Sequence, residues 1–236
     1  MDLHAAEALV AEHGADRVTE ALRPYLSEDR RVRIDEVVAG RMASLHVAIE
    51  APSDPHNAAA IVRTADALGA LGVHVIAAEG KALHAPRTTK GAFRWVQTHH
   101  HERLEPFLRV VRGQRMRLAG ACMDGSVPVT RLPLDEPLCL LLGNERRGLS
   151  AAARGACDLL FHVPMVGMSQ SLNVSVTAAI SMFEVLQRKR AAGATGDLDE
   201  AQRQRLRACY YAVGSDPRLL EVLYGVGESP EVADAR

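Results

Sequence analysis

Four cysteines are all this chain has, Cys122, Cys139, Cys157 and Cys209, and no two form a CxxC pair or fall at ligand spacing. That leaves no disulfide framework and no cysteine metal site to expect. Three of the four sit among apolar or small residues and read as reduced core residues of a cytosolic protein. No apolar run approaches the roughly 20 residues that a membrane helix needs. Met1 is followed by Asp2, His4 and Glu7, which is unlike a signal peptide, so a cytoplasmic location without membrane contact is expected. Net charge is also lacking: the formal value is -1, so no overall basicity advertises a nucleic-acid partner. No internal repeat or low-complexity tract breaks the chain, and no GxGxxG follows the first predicted strand, which disfavours a generic dinucleotide binder.

At 236 residues, 47% hydrophobic and 24% charged, the chain suits one sizeable core with a smaller appendage. Its charge is unevenly placed. Lys81, Arg87, Lys90, Arg94, Arg103, Arg109, Arg112, Arg115 and Arg117 face only Glu102 and Glu105 within the same stretch. This is either a solvated Arg-rich surface or a positive face for a polyanion. The run His99-His100-His101 looks like a metal tract, but strand alternation sends neighbours to opposite faces, so a structural or RNA-facing role is favoured over zinc and no metal is expected.

Periodicity divides the chain. Leu3, Leu9, Val10, Val18 and Leu22 predict two short helices broken at Gly14, and residues 28–43 a third, with Arg30, Arg31, Arg33 and Arg41 partly exposed. These make a helical arm over 1–43. From Ser44 strands alternate with helices: strands at 45–49, 73–77, 95–98, 118–122, 138–142 and 159–163, helices at 57–71, 102–112 and 150–155. Such alternation predicts an α/β fold with a mostly parallel sheet covered on both faces and its ligand beyond the carboxyl ends of the strands. Leu138-Cys139-Leu140-Leu141-Leu142 is apolar throughout, as a central parallel strand must be. After a flexible hinge at 191–196, residues 198–213 form an amphipathic helix, 217–224 a last short one, and 228–236 a frayed end.

Three carboxyl-end segments carry candidate chemistry. In Pro55-His56-Asn57-Ala58-Ala59-Ala60-Ile61-Val62-Arg63, Asn57 caps a helix and Arg63 is a lone cation on a nearly uncharged helix, which suggests an oriented partner such as phosphate. In Gly143-Asn144-Glu145-Arg146-Arg147-Gly148, the glycine admits close backbone approach and Glu145 can fix an arginine or accept from loop amides. From Val163, Pro164 and Gly167 enforce an ordered loop that opens at Ser171 and Asn173 into a helix of small residues, a place for a polar small molecule.

Together these strings resemble the three motifs of the SpoU/TrmH branch of the SPOUT superfamily of RNA methyltransferases, over roughly residues 34–190. The resemblance implies a deep trefoil knot at about 138–190 within a domain spanning 44–190, S-adenosylmethionine (S-adenosyl-L-methionine) bound bent in the knot, and a homodimer. It implies a catalytic set of Asn57, Arg63, Glu145, Ser171 and Asn173. Cofactor contacts would come from Ala121, Gly143, Val163, Met165 and Leu172. RNA would be held by the N-terminal arm and the 191–236 extension, with Arg30, Arg31, Arg33, Arg41, Arg87, Lys90, Arg188 and Arg190 as RNA contacts. The implied reaction is 2′-O-methylation of a ribose, at guanosine 18 of the tRNA D-loop. The alternatives are a ribosomal RNA or another tRNA nucleotide, and a dimeric RNA-binding protein with a retained cofactor pocket and no turnover. A guanidinium pKa above roughly 12 suits Arg63 to clamping phosphate and steadying a developing alkoxide better than to taking a proton.

Overall fold

The structure, a computed structural model, describes residues 1–78 and 91–226. Among them, strands β1 (Met42–Glu50), β2 (Ala70–Ile76), β3 (Gln97–His101), β4 (Arg117–Ala121), β5 (Val127–Pro128), β6 (Leu138–Leu142) and β7 (Leu159–His162) form one sheet in the order β3-β2-β1-β6-β4-β7-β5. Every pairing is parallel. The long apolar run is central as expected: β6 lies between β1 and β4. Leu138, Leu140 and Leu142 enter the core on one face of the sheet, and Cys139 and Leu141 the core on the other.

The first face is covered by α4 (Pro55–Leu68) and α7 (Val174–Ala191), through Ile61, Val62, Ala65, Ala178, Met182 and Val185. The second is covered by α5 (Leu104–Gly113) and α6 (Ala151–Ala156), through Phe107, Val111 and Ala153. A separate core joins the two ends of the chain. Helices α1 (Leu3–His13), α2 (Ala15–Leu22) and α3 (Glu28–Ala39) pack against α8 (Glu200–Gly214), with Val18, Leu22, Ile34, Leu206, Cys209 and Val213 buried between them, and Leu220 of α9 (Pro217–Tyr224) completing it.

Several expectations are corrected. Helix α3 ends at Ala39 with Gly40 as cap, so Arg41 belongs to the junction rather than to an RNA-facing helix. Arg41 is 1% exposed; its guanidinium donates to Asp66 Oδ1 (2.6 Å), the Tyr210 hydroxyl (3.0 Å) and the Trp95 carbonyl (3.0 Å). It ties the helical part to the sheet. The strand predicted at 95–98 lies instead at Gln97–His101. Trp95 closes a turn on Ala92 (2.9 Å) and sets its ring edge-on to Tyr210, which draws it out of the sheet. The segment 191–196 is anchored at its far end. A Cβ on Gly196 would meet the Ala39 carbonyl oxygen at 1.9 Å, and the next residue, Asp197, accepts from the Ser44 amide (3.2 Å) and hydroxyl. The two-residue strand β5 carries too little sequence pattern to be predicted. The frayed end expected at 228–236 lies outside the described residues.

The histidine run is structural. His99 and His101 share a face with His74 and His46, while His100 is exposed. His46 Nδ1 lies 3.0 Å from His74 Nε2, and His74 Nδ1 lies 3.0 Å from His101 Nε2, a hydrogen-bonded series across β1, β2 and β3. Burial holds His46 down at about 4 and His74 at about 2, with neighbouring imidazoles adding to the shift, so the rings are neutral at pH 7. No group of metal ligands is assembled among the described residues.

Candidate active site

Beyond the end of β1 the backbone turns at Ala51, whose φ of 47° is left-handed, and α4 begins with Asp54, not the expected Asn57, as its cap, accepting from the His56 amide at 2.8 Å; Asn57 lies in the first turn with its side chain free to face the loops. Pro55 at the first helical position costs no hydrogen bond there. Beyond β6, Gly143 is enforced by contact: a Cβ would lie 2.1 Å from the Gly148 carbonyl carbon. Asn144 pairs with Gly148 in both directions, at 3.0 and 2.9 Å, and its side-chain oxygen takes the amides of Arg146 (3.0 Å) and Arg147 (3.1 Å). Its side-chain nitrogen donates to the Ala51 carbonyl at 2.6 Å. Ser150, the cap of α6, adds a second tie between the loops by donating from its amide (2.8 Å) and hydroxyl (2.6 Å) to Glu50. Asn144 and Glu50 were not among the residues singled out in the sequence. An asparagine directly after Gly143, in a short loop that closes at Gly148, is the one signal for Asn144 in the sequence.

Glu145 faces back to the first segment. Its Oε2 accepts from the Ser53 amide (2.8 Å) and hydroxyl (2.5 Å), and its Oε1 from the Asp54 amide (3.3 Å) and the Asn57 side chain (2.9 Å). Partial burial alone would push this carboxyl up, but the Ser53 and Asn57 hydrogen bonds outweigh it and hold it at about 2. A carboxylate so satisfied is a poor proton acceptor at neutral pH. Asn57 then passes the order on: its Oδ1 accepts from Asn173 Nδ2 at 3.1 Å. Asn173 is the cap of α7, its oxygen taking Ser175 N (2.8 Å) and Oγ (2.6 Å). An ionised acceptor at the head thus sets the orientation of both amides.

Helices α4 and α7 run parallel. They are joined at their starts by Asn57 and Asn173 and at their ends by Arg190, which donates to the Leu68 carbonyl at 2.8 Å. Two positive helix ends therefore meet at one place, a setting for an anion. Arg63 stands exposed further along α4, with no hydrogen-bond or ion-pair partner among the described residues. Of the predicted catalytic set, Asn57, Glu145 and Asn173 are brought into contact. Ser171 lies exposed in the loop just before them.

Of the predicted cofactor residues, Ala121 closes β4, Gly143 follows β6 and Val163 follows β7, and these strands are neighbours, so the three lie side by side. The loop from 163 to 172 leaves Met165 (39%) and Leu172 (37%) open. Backbone ends flanked by uncovered apolar side chains fit the purine nucleoside part of S-adenosylmethionine. Of the predicted RNA contacts, Arg30 and Arg33 are exposed on α3 and Arg31 is half-buried; Arg30 also lies over the Trp95 ring at 5.0 Å. Arg188 is half-buried, with an Nη1 that is buried and unpaired among the described residues, and Arg190 is exposed. Arg87 and Lys90 lie outside the described residues. A cavity of about 590 Å³ lined by Glu7, His46, Gln97 and Arg205 lies at the opposite, amino edge of the sheet, and no predicted catalytic residue lines it.

The carboxyl-end loops of this parallel α/β sheet thus bring together a carboxylate, two amides and two helix starts, a setting for an anionic ligand. The comparisons make it specific. Residues 44–183 match the SpoU rRNA Methylase family, more than half of the chain, and the protein belongs to that family. It is 35% identical over 199 residues to a tRNA (guanosine(18)-2′-O)-methyltransferase of Thermus thermophilus, covering 84% of this chain and 93% of that one. It is also similar to the crystal structure of the A. aeolicus TrmH/SpoU tRNA modifying enzyme, with a TM-score of 0.71, 30% identity, and coverage of 78% of this chain and 96% of that one. The SpoU methyltransferase AviRb of Streptomyces viridochromogenes, solved with its cofactor AdoMet, gives a TM-score of 0.59 at 29% identity, covering 64% of this chain and 60% of that one.

Proposed function

We propose that this protein is an S-adenosylmethionine-dependent methyltransferase acting on the ribose 2′-hydroxyl of guanosine 18 in the tRNA D-loop. The observation that carries the reading is the Glu145–Asn57–Asn173 chain at the paired starts of α4 and α7, with Arg63 exposed further along α4 and unpaired among the described residues. The cofactor supplies an electrophilic methyl on a sulfonium. Everything else is positioning and charge placement by this chain. Arg63 and the paired starts of α4 and α7 receive the substrate phosphate and stabilise negative charge as the hydroxyl releases its proton to solvent water. Asn57 and Asn173, their amides fixed by Glu145, orient the ribose, with Ser171 beside them. Ala121, Gly143, Val163, Met165 and Leu172 hold the adenosine part of the cofactor. Glu145 is the orienting anion rather than the base.

The same reading covers the frame. Residues 44–190 are the methyltransferase domain, threaded as a trefoil knot within about 138–190. Residues 1–43 and 191–236 hold RNA, with Arg30, Arg31 and Arg33 in the first of these and Arg188 and Arg190 at the end of α7 next to the second. The protein works as a homodimer in the cytoplasm, where its tRNA substrate is. Val176 (45% exposed), Ile180 (38%) and Phe183 (51%) form an open apolar stripe at helical spacing on α7, which a second copy would cover. The family's description favours one alternative, a ribosomal RNA target with the same chemistry. Incubating the protein with methyl-labelled cofactor and, in parallel, unmodified tRNA transcripts and ribosomal RNA separates these. Label in tRNA alone supports the first reading, label in ribosomal RNA alone the second, and label in neither rejects both.

A further inference from the structure

We propose that Ser53 is a positioning residue for this site: its hydroxyl and amide latch one oxygen of Glu145 so that the other oxygen aims the Asn57 side chain. The inference rests on the methyltransferase reading and adds to it a residue outside the catalytic set. Ser53 is exposed, packs into no core, and lies in the loop between β1 and α4. Its hydroxyl nevertheless makes a 2.5 Å contact with Glu145 Oε2, and its amide a 2.8 Å contact with the same atom. No other side chain bonds to that oxygen among the described residues. Glu145 itself sits on a loop that reverses at Gly148, far along the chain from Ser53.

The latch fixes direction. A carboxylate accepts at both oxygens, so Asn57 must present its nitrogen to Glu145 and its oxygen to Asn173, which in turn must keep its own oxygen for the start of α7. Protonating Glu145 would turn one oxygen into a donor and break either the Ser53 or the Asn57 end. Losing the Ser53 hydroxyl would remove a charge-assisted bond and make that protonation easier. The titratable neighbours along these elements are Asp54, His56 and Arg63 on the first segment, and Arg146 and Arg147 beside Glu145. The stretch from Ser171 to Thr177 at the start of α7 contributes none.

The test uses the full-length protein and its Ser53→Ala and Ser53→Thr variants. Steady-state kinetics are measured on tRNA transcript at neutral pH, and the Asn57 side-chain amide is followed by nitrogen NMR in protein labelled at asparagine, with Asn57→Ser assigning the signal. Ser53→Ala is expected to lower kcat about tenfold with the cofactor KM unchanged, to shift the Asn57 amide signals, and to be rescued in both by Ser53→Thr. If Ser53→Ala matches the parent, or lowers kcat without moving the Asn57 amide signals, the latch is wrong. If the parent protein transfers no methyl group, the functional reading fails, and the Asn57 amide signals alone still decide for or against the latch.

Discussion

Asn57 and Asn173 stand 116 positions apart in the chain and share a hydrogen bond of 3.1 Å. Asn57 lies in the first turn of α4 and Asn173 caps α7, so this one bond registers the starts of two parallel helices against each other. Asn173→Asp separates its two jobs. A carboxylate caps a helix as well as an amide does, but it cannot donate to Asn57. Unfolding stability should stay within about 0.5 kcal/mol of the parent while turnover drops about tenfold or more, because an acceptor now faces an acceptor. Denaturant melts beside methyl-transfer rates check it; a stable variant with full activity would remove the bond from the mechanism.

Arg63→Lys keeps the positive charge and loses the planar fork. Binding of tRNA should weaken only a few-fold, whereas turnover should fall about a hundredfold, since a point charge does not hold phosphate and alkoxide together. Near-normal turnover would leave the guanidinium with no specific part.

Arg41→Ala addresses the residue that the sequence placed on the RNA surface. Removing a buried cation leaves the Asp66 carboxylate without its partner and takes one donor each from the Tyr210 hydroxyl and the Trp95 carbonyl, which keep their bond to each other. A stability loss of about 3 kcal/mol is expected, with tRNA affinity at a permissive temperature unchanged. Unaltered stability with weakened tRNA binding would reinstate the surface role.

Acid should loosen the fold through the histidine series. His46 and His74 have folded values below the ordinary 6.5, near 4 and near 2. A lowered folded value contributes stability that is whole above about pH 6.5 and drains as pH falls toward 4, where the unfolded chain binds the extra protons. Two such groups give a slope of about 2–3 kcal/mol per pH unit between pH 6 and 5, read by urea unfolding at each pH. A flat profile there would mean the rings are not buried neutral.

The sheet was legible because its core is written in short-range pattern. The Leu138–Leu142 run, the turn at Gly143 and the caps at Ser150 and Asn173 each follow from a few neighbouring residues. Arg41 was misread because an arginine at the end of a charged helix looks exposed until Tyr210, distant in sequence, supplies its partner. Trp95 left the strand predicted for it for the same reason, since its ring packs on the C-terminal helical core. In the site, Asn57, Glu145 and Asn173 came from motif strings, but their mutual contacts, the Ser53 latch and the Glu50–Ser150 tie exist only once the loops meet.

The most direct measurement compares two tRNA transcripts that differ in one atom: a normal one, and one with 2′-deoxyguanosine at position 18. With labelled S-adenosylmethionine, the normal transcript should take up one methyl group per molecule and the deoxy transcript none, with binding of the two nearly equal. Equal labelling of both would contradict 2′-O-methylation of guanosine 18 by this protein.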